Sequence, residues 1–408
     1  MKVLVITDRF VPEIAAPSFR IMDHAKIWRE LGHEVVVLTC VPNFPKGRVF
    51  PGYKNGIWQE EKIDGIRVIR VLSYMAANEG LFRRTLDNAS FMLSAILQSS
   101  RLPQCEVILA TSPPLFVAVA GCVIARVMRC PWIFEVRDLW PASIKAVGAL
   151  NGRMLSVLER LELYLYRDAT HIITLTHSFK EDLCRRHISG EKITTVENGV
   201  DTQFFSPANV KLDARARLGV PTNAFLVGYI GTVGMAHGVE TIVHAAALCK
   251  HHEHVMFVVI GEGAERDRIA NLAQENGLKN LVIRDFVPHE MMPSYLGCLD
   301  AFIVHLRPDP VFRTVIPSKI FEASAMQVPI LHAVEGESAG IIRAAGAGVC
   351  VPSGDARGMA ETVVALSCQT ERLKEMGRKG RETVKLKYSR TAKAKEALKC
   401  LEAVVRKA

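Results

Sequence analysis

The chemistry of this chain gathers in residues 313–329, Arg313-Thr-Val-Ile-Pro-Ser-Lys-Ile-Phe-Glu-Ala-Ser-Ala-Met-Gln-Val-Pro329. An apolar run at 301–306 precedes them and another at 328–331 follows. Strand, loop, helix and strand in that order are the grammar of a parallel α/β unit. Pro317 suits the first helical turn, where its missing N–H costs nothing. Ser318 and Lys319 then stand at the positive end of the helix, beside backbone amides, which favours an anion such as phosphate. Glu322 lies one turn on, four and three residues away, on the same face. Cation and amides suit a diphosphate, and the carboxylate suits sugar hydroxyls. The stretch reads as a nucleotide-sugar clamp. A capped surface helix with an exposed Lys–Glu pair is the plainer alternative.

The surrounding pattern is α/β throughout. Buried strands are expected at 2–7, 34–39, 66–72, 106–111, 132–136 and 170–175, with helices at 18–31, 81–98, 115–128, 152–167 and 178–186. A loop-like stretch at 197–207 interrupts the alternation. It restarts with a strand at 225–230 and a helix at 239–250, followed by strands at 255–260, 281–286, 301–306, 328–332 and 348–351. This predicts two doubly wound sheets, with ligands in a cleft between their strand C-terminal ends. The first βα loop, 8–17, is not G-x-G-x-x-G, which disfavours a dehydrogenase. After the strand at 132–136 come Arg137 and Asp138, two charges following an apolar run. Asp138 either serves chemistry or caps a helix starting near Pro141.

At 408 residues the chain exceeds one ordinary core, and 49% hydrophobic residues match a soluble globular protein. The 10 cysteines form no C-x-x-C pair, so neither zinc nor a disulfide framework is expected, and the cytoplasm is the expected compartment. The N-terminus reads as a strand rather than a signal peptide. The longest uncharged run, 107–125, is broken by Thr111-Ser112-Pro113-Pro114, so no membrane span is expected. No nucleic-acid module is recognisable. Net charge is +9, and residues 371–408 supply +8 of it through 13 Lys and Arg against 5 Glu. That tail could attract an anionic membrane surface, or form a solvated helix face. The stripe Phe82, Leu86, Ala89, Leu93 and Ile96 reads as an ordinary core helix, with a membrane-resting helix as the alternative.

Three further stretches matter beside 317–323: Glu197-Asn-Gly-Val-Asp201 with Phe205-Ser-Pro207, Gly261-Glu-Gly-Ala-Glu-Arg266, and Glu135-Val-Arg-Asp-Leu-Trp-Pro141. Through these the chain resembles the family-4 glycosyltransferases of the GT-B fold over nearly its whole length. It looks most like bacterial amino-sugar transferases of the WbuB (L-fucosamine transferase) type. The resemblance implies two Rossmann-like, doubly wound parallel-sheet domains facing across a cleft. Residues 1–200 would hold the acceptor and 208–388 the donor. An amphipathic basic helix, 389–408, could return to the first domain.

The resemblance also implies a retaining transfer from a UDP-sugar without a metal or other cofactor. Glu322 would hold the ribose hydroxyls, and Gly261, Gly263 and Val287 would wall the nucleobase. Asp138 would sit near the reacting carbon, beside Arg137. The sequence departs from the family at several positions. Thr314 stands where the first acidic residue of the usual pair belongs. Thr232 and His237 replace the usual Arg and Lys after the first strand of the second domain. The diphosphate would then rely on amides at Gly231 to Gly234, on Lys319, and on Arg313. Ala15, Ala16 and Pro17 replace a glycine-rich turn, with Arg20 available to help. The implied reaction moves an N-acetylated amino sugar, such as N-acetyl-fucosamine, onto a saccharide or undecaprenyl-diphosphate-linked acceptor. Its setting would be bacterial O-antigen, capsule or lipopolysaccharide synthesis, at or near the inner membrane face. A UDP-sugar 2-epimerase of similar fold and a non-catalytic sugar-nucleotide binder remain as rivals.

Overall fold

The structure, a computed structural model, describes residues 1–44, 46–75, 81–139 and 152–407. They form two compact units, 1–198 with 390–408, and 199–389.

The first unit is built on one sheet. Its strands are β1 (Lys2–Ile6), β2 (Glu34–Cys40), β3 (Trp58–Ile63), β4 (Ile66–Val71), β5 (Val107–Ser112), β6 (Trp132–Val136), β7 (His171–Thr174) and β8 (Ile193–Thr195). Their order is β3-β4-β2-β1-β5-β6-β7-β8, parallel except for β3 against β4. The period of two sorts each central strand onto two cores. Leu4, Ile6, Val36 and Leu38 face one side, and Val3, Val5, Val35 and Val37 the other. Helices α2 (Leu81–Leu97), α3 (Leu115–Met128), α4 (Gly152–Asp168) and α5 (His177–Arg185) cover the first side, through residues such as Phe91, Ala120, Leu165 and Leu183. Helix α1 (Ala16–Glu30) covers the second, together with the chain's last helix.

The second unit repeats the plan. Strands β9 (Phe225–Ile230), β10 (Val255–Ile260), β11 (Leu281–Arg284), β12 (Ala301–His305), β13 (Ile330–Ala333) and β14 (Gly348–Cys350) run in the order β11-β10-β9-β12-β13-β14, all parallel. Its helices are α6 (Ala214–Leu218), α7 (Glu240–Leu248), α8 (Arg266–Glu275), α9 (Met292–Gly297), α10 (Lys319–Ala325), α11 (Glu337–Ala345), α12 (Ala356–Ser367) and α13 (Thr370–Lys387). In each sheet the strand order reverses at a central strand, β1 or β9. Loops at the strand C-terminal ends diverge there and leave room for a ligand.

The final helix, α14 (Arg390–Lys407), belongs to the first unit rather than standing as a separate piece. The Trp28 indole N–H donates to Ala394 O at 2.7 Å, and Arg390 pairs with Asp23. Lys393 is buried between Glu197 (2.8 Å) and Glu396 (2.9 Å). Two strands escape the sequence pattern. β3 is a polar edge strand whose Glu60 pairs across to Arg67 at 2.8 Å, and β8 has three residues. Helix α2 also corrects the pattern. Its core-facing residues are Phe91 and Ala95, whereas Leu86 and Leu93 are exposed; the Phe82 side chain lies outside the described residues.

Candidate functional site

In the second unit the loops after β9, β10 and β11 are laced by backbone bonds. Gly231 N–H donates to Ile260 O (2.8 Å), Val233 N–H to Glu262 O (2.8 Å) and Gly261 N–H to Arg284 O (3.1 Å). The approach is so close that only glycine fits. A β-carbon on Gly261 would lie 1.8 Å from Gly231 O, and one on Gly263 2.3 Å from Val233 O.

Lys319 reaches this loop from the start of α10. Its Nζ lies 4.8 Å from the centroid of the Tyr229 ring and 1.4 Å from where a β-carbon on Gly231 would stand. The amine is buried and makes no hydrogen bond. Burial pushes it down to about 8, while Glu322 one turn along pulls it up. A buried cation without a hydrogen-bonding oxygen is costly, so this arrangement points to an anion that completes it. The ring beneath it is fixed, because the Tyr229 hydroxyl donates to Thr232 O at 2.6 Å.

His237 closes the same loop. Burial, then the charge of Lys319, lowers its imidazole to about 4, so it is neutral at pH 7. Its Nδ1 is buried without a partner, and its carbonyl accepts from His305 Nδ1 at 2.7 Å. Gly354 N–H donates to the other His305 nitrogen at 3.1 Å, which fixes that neutral tautomer. The loop that carries Thr232 and His237 in place of two cations therefore receives one from α10. Lys319 stands against Gly231, near His237.

The neighbouring positions behave differently. Ser318 caps α10 without a side-chain bond, and α10 has only 7 residues, too short for much of a helix dipole. Glu322 is half-buried one turn beyond Lys319. Arg313, expected at the diphosphate, instead pairs with Glu335 at 2.6 Å on an exposed surface. The Thr314 hydroxyl donates to Val311 O (2.8 Å) and so closes its own turn. Val287 is buried in the core, leaving Phe286 exposed beside it in the chain. Gly234 precedes the 3-10 turn Met235–His237, whose His237 N–H donates back to Gly234 O at 2.9 Å.

In the first unit the chemistry lies at the C-terminal ends of β1 and β6. Arg137 follows β6, its N–H donating to Ser112 O at 3.2 Å, and Asp138 is next, partly exposed. Trp140 and Pro141, and with them the helix that Asp138 would cap, lie outside the described residues. Asp8, which the sequence pattern did not single out, is half-buried just past the end of β1. Burial raises its carboxyl, and Arg9, Arg137 and Arg84 lower it. Arg9 lies 3.5 Å from it.

Arg20 corrects the sequence reading. Its guanidinium is buried, donating to Glu135 Oε1 (2.7 Å) and Asn198 Oδ1 (3.0 Å). Burial works against the charge of Glu135, yet Arg20 and then Arg137 hold its carboxyl down to about 2. Arg20 thus ties α1 to β6 and to the loop at Asn198, while its Nε is buried without a hydrogen-bond partner. Ala16 opens α1 with Pro17 in its first turn, and no side chain caps that end. Glu13 shapes the preceding loop by accepting the N–H groups of Asn43 and Phe44, both at 2.8 Å. Tyr229 and Asp8 carried weak signals: a tyrosine in an apolar strand, and a charge two residues past β1.

Comparison with known proteins agrees with this layout. Residues 17–199 match the model of the glycosyl transferase 4-like domain, and 210–383 that of glycosyl transferases group 1. The chain is a family-4 glycosyltransferase. The transferase is 22% identical over 329 residues to the putative colanic acid biosynthesis glycosyl transferase WcaI of Escherichia coli K12, which covers 78% of this chain and 80% of that one. Its fold is GT-B. It is similar to sucrose-phosphate synthase from Thermosynechococcus elongatus (TM-score 0.80, 18% identity, all of both chains). It is also similar to Anabaena HepE in complex with UDP (TM-score 0.72, 14% identity, 99% of this chain and 100% of that one). In the transferase, the tight β9–β10 loops and the Lys319 amine lie in the group 1 half, and Arg137 and Asp138 in the other.

Proposed function

We propose that this glycosyltransferase moves an N-acetylated amino sugar, with retention and without a metal, from a UDP donor to a lipid-linked saccharide in bacterial surface-polysaccharide synthesis. The observation that carries the donor half is the buried Lys319 amine, lacking a hydrogen-bond partner and set against Gly231 and Tyr229. A diphosphate oxygen supplies what that amine lacks, and a leaving diphosphate needs its growing charge met by a preorganised cation and amides. Glu322, one turn on, suits the ribose hydroxyls. The names of similar proteins support the rest: HepE is solved with UDP, and WcaI is assigned to colanic acid synthesis. A phosphatidylinositol N-acetylglucosaminyltransferase subunit of yeast, 19% identical over 317 residues, supports an amino-sugar donor.

The test is a titration of UDP and UDP-N-acetylhexosamines into the parent, Lys319→Ala and Glu322→Ala, followed by transfer assays in chelator. Each variant should lose about 1.5–3 kcal/mol of UDP affinity, the worth of a charge-assisted contact. Unchanged UDP affinity in both would sink the clamp. Release of an N-acetylmannosamine product from UDP-N-acetylglucosamine alone would favour an epimerase instead.

A further inference from the structure

Three helices on one face of the first sheet carry apolar side chains outward. On α2, Leu86, Leu93 and Leu97 are exposed. Leu93 and Leu97 follow Leu86 by seven and eleven residues, which places all three within about 40° of one another around the helix. On α3 the same spacing aligns half-exposed Phe116 and Val123 with exposed Val127. On α4, exposed Val157 and Tyr164 are seven apart. All three helices set their opposite faces into the same core, so these stripes point away from the sheet.

The charge around the stripes is predominantly positive, with Asp87 on α2 half-buried. Arg83, Arg101, Arg129, Arg153 and Arg160 are exposed on or at the ends of these helices. Among the described residues none of the five forms an ion pair. α3 has no carboxylate, and the exposed one on α4 is Glu159. Aligned apolar side chains within a rim of arginines fit a surface that is apolar inside and anionic at its edge. We infer that the outer face of α2, α3 and α4 seats the protein on an anionic lipid bilayer, lying in the interface without crossing it. No helix among the described residues is long and apolar enough to span.

The same structure demotes the basic C-terminal tail. α14 packs with α1 on the opposite face of the sheet. Lys393 is buried between two carboxylates. A bilayer against α2–α4 leaves Lys395 and Lys399 pointing elsewhere.

The experiment is flotation of the full chain with vesicles of phosphatidylcholine alone or enriched in phosphatidylglycerol. The parent should float with the anionic vesicles, and less so as salt rises. L93E/L97E and R153E/R160E should each lower the bound fraction roughly tenfold or more, since each basic residue near such a surface contributes about 1 kcal/mol. Both variants should keep parental melting and UDP affinity. K395E/K399E should bind as the parent does. Absence of parental flotation, or flotation lost only in K395E/K399E, overturns the inference. So does sedimentation showing a dimer that L93E/L97E dissolves, because the face would then seat a second copy. UDP affinity is read separately, so a failure here leaves the donor site untouched.

Discussion

The Lys319 amine fills the space that a side chain on Gly231 would need, 1.4 Å from the position of the missing β-carbon. One residue supplies the charge and the other the room. Gly231→Ala must push the amine out of its seat, and φ of 152° at this position adds strain for any L side chain. We expect it to reduce UDP affinity as much as Lys319→Ala does, by about 1.5–3 kcal/mol. Calorimetric titration of both variants checks this. Parental affinity in Gly231→Ala would show that Lys319 works from another position.

Lys319 also predicts a pH dependence. Its ammonium loses a proton near pH 8 in the fold and near 10.4 in the unfolded chain, the latter about the ordinary value. Between those values the unfolded chain binds more protons, so stability rises with pH in that window and is insensitive to this group below it. UDP binding runs the other way, holding below pH 8 and weakening above it. Lys319→Met should abolish both trends and melt no lower than the parent at pH 7, because a buried cation is removed. A parental pH profile for UDP affinity in that variant would refute the assignment.

Asp138 is expected to act in the chemical step and not in donor binding. Asp138→Asn keeps the size and much of the hydrogen bonding but removes the charge. Turnover should fall by at least tenfold while UDP affinity and melting temperature stay near parental. If Asp138 only caps a helix, Asn caps as well and turnover persists. That outcome would move attention to Arg137, the neighbouring guanidinium.

Lys393 is a structural ion and not a surface one. It is 5% exposed and bonded to both Glu197 and Glu396. Its two carboxylate partners keep contact with water, so removing the cation should cost about 1–3 kcal/mol, the worth of a lost charged hydrogen bond. Lys393→Ala should therefore lower the denaturation midpoint strongly, whereas Lys395→Ala and Lys399→Ala should not. Equal midpoints for all three would contradict the burial.

The sequence by itself determined the two α/β units, because buried parallel strands read as continuous apolar runs such as 34–39 and 225–230 wherever the chain places them. It also placed Ser318, Lys319 and Glu322 together at the start of one helix, since they are local neighbours. The polar edge strand β3 and the short β8 carried no such signal, because their place depends on a partner strand. Tertiary structure alone decided which cations are ion-paired and which are left without a hydrogen-bond partner. Arg20 and Arg313 look as available in sequence as Lys319 does. The fold delivers Glu135 to the first and Glu335 to the second, so each guanidinium is ion-paired. To Lys319 it delivers an aromatic ring and the empty side of a glycine, and no hydrogen-bonding oxygen among the described residues. Side-chain charge is written in the sequence, but its availability depends on partners more than a hundred residues away, as with Arg20 and Glu135.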